Sequence, residues 1–168
     1  MITVDQLLFT LALLAALGCG LMAGTFFAFS VVVMKALVRI PAGAGIPAMQ
    51  AINVAAVNTW FLTVFLGTAT LCALALISAA LWWGAPGTAC LVAGSVLYLV
   101  GTLWVTLACN VPRNETLAKA PSTDPESAGM WARFVPGWTA WNHVRTVAAL
   151  AAAAAFSVAL GKIGPGIF

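Results

Sequence analysis

The chain has 168 residues, of which 63% are hydrophobic and only 7% are charged. An ordinary soluble domain carries about 25% charged residues, so this composition excludes one and is typical of a small polytopic membrane protein. The net charge of +3 is too small to indicate a nucleic-acid partner.

Four apolar stretches, at 7–38, 59–83, 88–109 and 138–161, are long enough to cross a bilayer core, which needs about 20 helical residues. The first is longer than the apolar region of a signal peptide, and no Lys or Arg precedes it, so we interpret it as an uncleaved span. The expected fold is all-α. It is one domain over residues 1–168, a membrane four-helix bundle with a short amphipathic helical connection between helices three and four.

The basic residues predict an orientation. Only Lys162 lies on one side of the expected bundle, and the other six basic residues lie at or near the connections joining spans one to two and three to four. These six are Lys35, Arg39, Arg113, Lys119, Arg133 and Arg145. The positive-inside rule therefore predicts that both connections are cytoplasmic and that both termini lie outside. The expected location is the bacterial inner membrane.

The first span contains Gly20, Gly24 and Ala28 at four-residue spacing. Such a stripe of small residues lets another helix approach closely in lipid. It predicts packing either within the chain or between copies in a homo-oligomer. Phe26 and Phe29 follow on the same span, where they either line a pocket or face lipid.

The connection after span one begins with helix breakers from Pro41 to Pro47. Pro47 suits the first position of a new helix. On that helix Gln50 and Asn53 share a face, and Asn58 returns to roughly the same face.

Span three ends in Asn110, and Asn114 follows within one turn. About 25 mostly polar residues separate it from span four. Within them residues 123–126 match a capping box, with Pro125 at an early helical position. The short helix that this predicts either lies on the membrane surface or closes over a pocket.

The polar residues fall at one depth on three of the four spans, and this pattern indicates a cavity open to the cytoplasmic face. The members are Gln50, Asn53, Asn58, Asn110, Asn114, Asn142, His143 and Arg145. The alternative is that they are ordinary interfacial residues, with Trp138 and Trp141 forming an aromatic belt.

Trp138, Trp141, Asn142 and Arg145 share one face of span four, whereas His143 points away from Arg145 by roughly 160°. An arginine facing the cavity favours an anionic or enolate-like ligand. His143 has the chemistry of a general base near neutral pH. Its alternative is a packing role, with the ring hydrogen-bonded to a backbone carbonyl.

No metal cage is expected. The chain has one histidine, and its four cysteines show no CxxC pairing, so they read as small packing residues. A single axial His143 on a haem, or a haem site shared between subunits, stays open.

Four blocks in chain order carry a family resemblance. They are Gly24-x-Phe26-Phe27-Ala28-Phe29-Ser30, Ala48-Met49-Gln50-x-Ile52-Asn53, Asn110-Val111-Pro112-x-Asn114 and Trp138-x-x-Trp141-Asn142-x-x-Arg145-Thr146. Together they resemble the DUF1772 family, which includes the anthrone oxygenases of aromatic polyketide pathways. The resemblance implies a four-helix membrane protein. It also implies a monooxygenase that oxidises the activated methylene of a flat aromatic substrate with O₂, without metal or flavin.

On that resemblance we predict a site for an apolar aromatic molecule, with no cofactor and with O₂ as co-substrate. His143 would remove the methylene proton, while Asn142 and Arg145 would stabilise the resulting oxyanion. The expected substrate-binding residues are Gln50, Asn53, Asn58, Asn110, Asn114, Trp138, Trp141, Phe26 and Phe29. Two alternatives remain open: a redox module that binds haem or a quinone, and a non-catalytic accessory membrane subunit.

Overall fold

A computed structural model describes residues 3–121 and 125–164, and this part of the chain is helical with no strand. Four helices are long and apolar enough to cross a membrane: Val4–Val38, Thr59–Leu81, Thr88–Ala118 and Ser127–Ile163. They are called spans one to four. The all-α membrane bundle expected from the sequence is confirmed.

Two of the spans are interrupted by π-helical segments, in which the backbone bonds skip five residues instead of four. In chain order the helices are α1 (Val4–Ala28), π1 (Phe29–Val33), α2 (Met34–Val38), α3 (Ala42–Ala56), α4 (Thr59–Leu81), α5 (Thr88–Tyr98), π2 (Leu99–Trp104), π3 (Thr106–Asn110), α6 (Val111–Ala118) and α7 (Pro125–Ile163). Spans one and three each change from α to π geometry and back.

The four spans form an up-and-down ring. α1 packs against α4 and α7, and α5 packs against the same two helices. Because successive spans alternate in direction, each of these contacts joins antiparallel neighbours.

Local signals in the sequence begin two of the spans. The Thr3 hydroxyl accepts the backbone N–H of Gln6, whose side chain accepts the N–H of Thr3 in return, and this capping box starts α1. Asn58 caps α4 in the same way, since its Oδ1 accepts the N–H of Phe61 at 3.0 Å.

Close approach between spans depends on glycines other than those of the predicted stripe. A Cβ added to Gly101 would overlap the Cβ of Ala148, and one added to Gly18 would overlap the Thr68 side chain. A Cβ added to Gly20 or Gly24 would meet open space. The stripe therefore does not pack within this chain, and an interface between copies stays a prediction.

The connection between spans three and four differs from the expected one. Span three continues to Ala118, and the expected short helix is the first part of α7, which runs unbroken for 39 residues. Pro136 lies inside α7 and removes only one backbone bond, a loss that long membrane helices tolerate. The side chains of the predicted capping box at 123–126 lie outside the described residues.

α3 also begins earlier than expected. It starts at Ala42, directly after Pro41, whose φ of −53° and extended ψ suit the residue before a helix, and Pro47 is an interior residue. The prediction that Pro47 opens this helix is therefore wrong. α3 ends at Ala56, so Asn58 belongs to the next helix and not to the face of Gln50.

Buried apolar side chains form two groups. The larger one, which we call the bundle core, lies between the four spans and includes Phe26, Phe65, Tyr98 and Phe156. The smaller one, the end core, lies where α2, α3, α6 and the first part of α7 meet. Its members are Met34, Leu37, Ile46, Met49, Leu117, Trp131, Phe134 and Trp138.

Candidate functional site

Arg145 lies between the two cores. Only 6% of its surface is exposed, and its guanidinium carbon is 4.3 Å from the ring centre of Phe26 and 5.4 Å from that of Trp138. Phe26 belongs to the bundle core and Trp138 to the end core. Cation–π attraction to two rings in a dry environment partly offsets the cost of burying the charge.

Asn142 links this arginine to span one. The side chain is fully buried, and its Nδ2 donates to the Phe26 carbonyl at 2.7 Å and to the Ser30 hydroxyl at 2.6 Å. Its Oδ1 accepts a hydrogen bond of 2.6 Å from Nη2 of Arg145. One amide thereby orients the guanidinium and joins α7 to span one.

The partner segment on span one is π-helical. Within π1 the N–H of Met34 bonds to the carbonyl of Phe29, five residues back, and Ser30 lies in the same segment. A π-helical turn carries one extra residue and is frequent at functional sites. No feature of the apolar sequence around Ser30 predicts this change of geometry.

Span three supplies a third contact from another π-helical segment. Nη1 of Arg145 donates to the Thr106 hydroxyl at 3.2 Å, and that hydroxyl donates to the Thr102 carbonyl at 2.7 Å. Thr106 is the first residue of π3. Thr102 and Thr106 were not predicted from the sequence, although two hydroxyls one turn apart within an apolar span are a usable signal.

The guanidinium keeps unused hydrogen-bonding capacity. It has five N–H donors, and two of its nitrogens are engaged by Asn142 and Thr106. Its Nε is enclosed without a hydrogen-bond partner in the described structure. Of the acidic residues, Asp5 and Glu115 have described side chains, and neither forms an ion pair with Arg145. This arrangement is suited to binding an anionic oxygen.

Two of the predicted asparagines hold Trp138. The indole Nε1 donates to Oδ1 of Asn114 at 2.8 Å, and Nδ2 of Asn110 donates to the Trp138 carbonyl at 3.3 Å. Oδ1 of Asn110 is buried without a partner in the described structure. Phe29 completes this wall, since its ring centre is 6.2 Å from that of Trp138.

The three polar residues of the first connection do not join the cluster. Gln50 donates to the carbonyls of Leu117 and Ala120 at 2.9 and 3.1 Å, so it closes the end of α6. Asn58 is an exposed helix cap. Asn53 is half-buried, and its Nδ2 has no partner in the described structure.

His143 lies on the exposed outer face of α7, whereas Arg145, two residues later, is buried. The helix thus separates the two as its geometry predicts. Trp141 is half-buried between these extremes. The structure does not bring the imidazole to the guanidinium, and a role for His143 in catalysis stays a prediction.

Two clefts in the described part of the structure lie away from the Arg145 cluster. They adjoin each other between α6 and the start of α7, with volumes of about 310 Å³ each, and none of the predicted site residues lines them. At Arg145 the rings of Phe26 and Trp138 occupy the space where the sequence predicts a cavity.

Among the residues that the structure describes, no group of three or more His, Cys, Asp and Glu side chains is placed to hold a metal ion. The four cysteines are free.

Comparison with curated proteins and with solved structures finds no match. The family described as anthrone oxygenase matches residues 58–155, which is more than half of the chain. The matched region runs from the cap of α4 into α7, so it contains Asn142 and Arg145, while Phe26 and Ser30 precede it. The chain belongs to the anthrone oxygenase family, which is the DUF1772 family.

Proposed function

We propose that this protein is a membrane oxygenase that oxidises the activated methylene of a flat aromatic substrate such as an anthrone. Molecular oxygen is the co-substrate, and no metal or flavin takes part. The observation that carries the proposal is the buried guanidinium of Arg145, which keeps a free Nε donor between two aromatic rings in a member of this family.

The reaction balances with O₂ as the only oxidant. The substrate methylene loses its two hydrogens and gains one oxygen atom as a new carbonyl, and the second oxygen atom leaves as water. The first step is loss of one methylene proton to water or to a base, which leaves an aromatic oxyanion. That anion is electron-rich, and it reduces O₂ directly.

Arg145 supports this step by stabilising the oxyanion. Its free N–H donors bind the substrate oxygen more strongly once the oxygen is charged, and such differential binding accelerates the step. Asn142 fixes the guanidinium orientation, because its Oδ1 accepts from Nη2 at 2.6 Å. The surroundings are apolar, so each of these interactions is stronger than it is in water.

Phe26 and Trp138 cover the guanidinium on two sides, so the substrate enters when one of these rings swings aside. A planar substrate then takes the place of that ring. Phe29 lies against Trp138 and offers a further aromatic surface for stacking.

Anthrone oxidation by purified variants tests the proposal. Oxygen uptake and anthraquinone absorbance are measured together in detergent micelles, and the spontaneous oxidation of anthrone is subtracted with a protein-free blank. Arg145→Gln keeps a polar side chain, shorter by two atoms, and removes the charge. We expect the rate constant kcat to fall by about 10² to 10³, the loss typical of an oxyanion donor. Arg39→Gln removes a charge from an exposed position and serves as the control.

The variant His143→Gln tests whether His143 or Arg145 contributes more to the oxidation rate. A large loss for Arg145→Gln with a small loss for His143→Gln supports the proposal as stated. The reverse pattern assigns the base to His143 and contradicts the role of Arg145. If neither variant is slower than the parent, the proposed chemistry at this cluster is wrong.

A second function, that of an accessory membrane subunit, is favoured by the bonding of Asn142. Both ends of this amide are engaged, and they join span one to α7. In that case the cluster only fastens the bundle. The parent protein would then consume no oxygen above the blank with any anthrone, while the cluster variants would still lose stability.

A further inference from the structure

The two clefts between α6 and α7 form one continuous surface feature, since they share Thr116, Met130 and Arg133. We call it the α6–α7 cleft. Its floor belongs to the end core, because Leu117 is 1% and Phe134 is 8% exposed. An apolar floor that is packed from below keeps its shape without a ligand.

The rim of the α6–α7 cleft is basic. Arg113 and Arg133 line the first part, and Lys119 lines the second together with Arg133. Arg113 is held in place: its Nη1 donates to the Cys109 carbonyl at 2.6 Å, and its Nε lies 3.4 Å from a Cβ built on Gly137.

The two arginines stand at opposite ends of the cleft. Arg133 extends toward Gly129, since its Nη1 lies 3.6 Å from a Cβ built there, whereas Arg113 lies over Gly137. Gly129 and Gly137 are eight residues apart on α7, which is about 12 Å along the helix axis. Met130 and Phe134 lie between them, so the cleft alternates a cation, an apolar wall and a second cation.

The depth of the cleft follows from the spans. Arg113 comes four residues after 109 and Arg133 five residues before 138, where the sequence places the ends of the apolar spans. At 1.5 Å per residue the Cα atoms of both arginines stand about 6 to 8 Å beyond the hydrocarbon edge. The Arg113 side chain turns back toward that edge to reach the Cys109 carbonyl, whereas the Arg133 side chain extends outward toward Gly129. The headgroup layer of a bilayer is about 5 to 8 Å deep on each side. The basic rim therefore extends across the headgroup layer, with Arg113 at its inner side and Arg133 at its outer side.

We propose that the α6–α7 cleft binds the headgroup of an anionic phospholipid from the surrounding leaflet. The phosphate interacts with Arg133 at the outer end of the cleft, and the glycerol and its ester groups cover Met130 and Phe134. An ester carbonyl oxygen accepts a hydrogen bond from Arg113 at the inner end. Basic pockets beside membrane helices recognise lipid headgroups in this way, and guanidinium groups match phosphate geometry. The site is separate from Arg145, so the proposal does not depend on the proposed oxygenase function.

Lipid binding to the purified full-length protein tests this. Phosphatidylglycerol and phosphatidylcholine with identical acyl chains are titrated at 150 mM salt, where charges more than about 8 Å apart are screened. Bound lipid is counted by native mass spectrometry, and protection against heat is measured in parallel. Inorganic phosphate alone is a third arm, and it separates a lipid site from a site for a free anion.

The variants are matched in charge. Arg113→Gln with Arg133→Gln removes two charges from the cleft, and Lys35→Gln with Arg39→Gln removes two exposed charges from α2 and its end, outside the cleft lining. A juxtamembrane cation near anionic lipid contributes about fivefold in affinity, so the cleft pair should lose about 25-fold for phosphatidylglycerol. The α2 pair should lose less than twofold.

The single variant Arg133→Gln controls for misfolding. Arg133 is exposed, and in the described structure it does not make a hydrogen bond to the backbone such as the one from Arg113 to the Cys109 carbonyl. We expect a fivefold loss for this single variant with an unchanged melting temperature in the absence of lipid. Equal binding of the two lipids, equal losses for the two charge pairs, or full protection by phosphate alone would each overturn the proposal.

Discussion

Replacing Asn142 with alanine tests whether this side chain holds the buried polar cluster together. The change removes three hydrogen bonds at once: those to the Phe26 carbonyl, to the Ser30 hydroxyl and from Arg145. It also leaves the guanidinium with one partner fewer in a place that water does not reach easily. Ser30→Ala is the matched control, because it removes only one of the three bonds.

The magnitudes separate the two variants. Hydrogen bonds between membrane helices average about 0.6 kcal/mol, so the two neutral bonds of Asn142 contribute about 1.2 kcal/mol. The bond from the charged guanidinium contributes about 1.5 to 3 kcal/mol. We therefore expect Asn142→Ala to lower the free energy of unfolding by about 3 to 4 kcal/mol, and Ser30→Ala to lower it by about 0.6 kcal/mol.

Reversible unfolding in mixed micelles, followed by circular dichroism, measures both values. The double variant completes a thermodynamic cycle, in which the effect of Ser30→Ala should nearly vanish once Asn142 is absent. If the two single variants differ by less than about 1 kcal/mol, the charge-assisted bond to Arg145 contributes little, and the reasoning about the cluster is wrong.

Three further predictions concern the bundle. Gly101→Ala should destabilise the fold by about 1 to 3 kcal/mol, because the new methyl group overlaps Ala148. Adding Ala148→Gly to the same chain should restore most of the lost stability. A double variant as unstable as Gly101→Ala alone would contradict the contact between these two positions. Gln50→Ala should lower stability by about 1 kcal/mol through the loss of two bonds to the end of α6, and protease cleavage after α6 should become faster. Gly20→Leu with Gly24→Leu should leave the melting temperature unchanged, since both positions face open space, while light scattering reports whether this face joins copies of the chain.

Composition and apolar length sufficed to predict the bundle. The start of span two at Thr59 was placed to the residue, because the apolar run begins there, whereas the role of Asn58 as the cap of that helix was missed. The first turn of α7 was also foreseen from Pro125. What failed was the prediction that helix breakers extend from Pro41 to Pro47: α3 begins at Ala42, and Pro47 lies inside it at the loss of one backbone hydrogen bond.

The site was predicted in part, for a physical reason. Helical periodicity assigns residues to a face, and it therefore separated Arg145 from His143 correctly. It cannot determine which helix lies opposite that face, so Ser30 and Thr106 were missed. Both lie in π-helical segments, and the change from α to π register depends on packing between spans and leaves no local pattern in an apolar sequence.

The buried polar cluster of Asn142 and Arg145 is required either for folding or for function, and one double variant distinguishes these two roles. Removing one partner of a buried polar pair is expensive, but replacing both with apolar side chains of similar volume is often neutral or stabilising by about 1 to 4 kcal/mol. Asn142→Leu with Arg145→Met makes that replacement between the rings of Phe26 and Trp138. The Ser30 hydroxyl can then donate to the Phe26 carbonyl, four residues back, so neither group is left without a partner.

We expect this double variant to unfold at a free energy equal to or above that of the parent, in contrast to Asn142→Ala alone, and to have lost anthrone oxidation. Both readings come from the same purified sample, so a loss of activity with retained stability cannot be ascribed to misfolding. A double variant as unstable as Asn142→Ala would mean that the bundle itself requires the cluster. The cost of burying Arg145 would then have a structural explanation, and the argument from that cost to catalysis would fail.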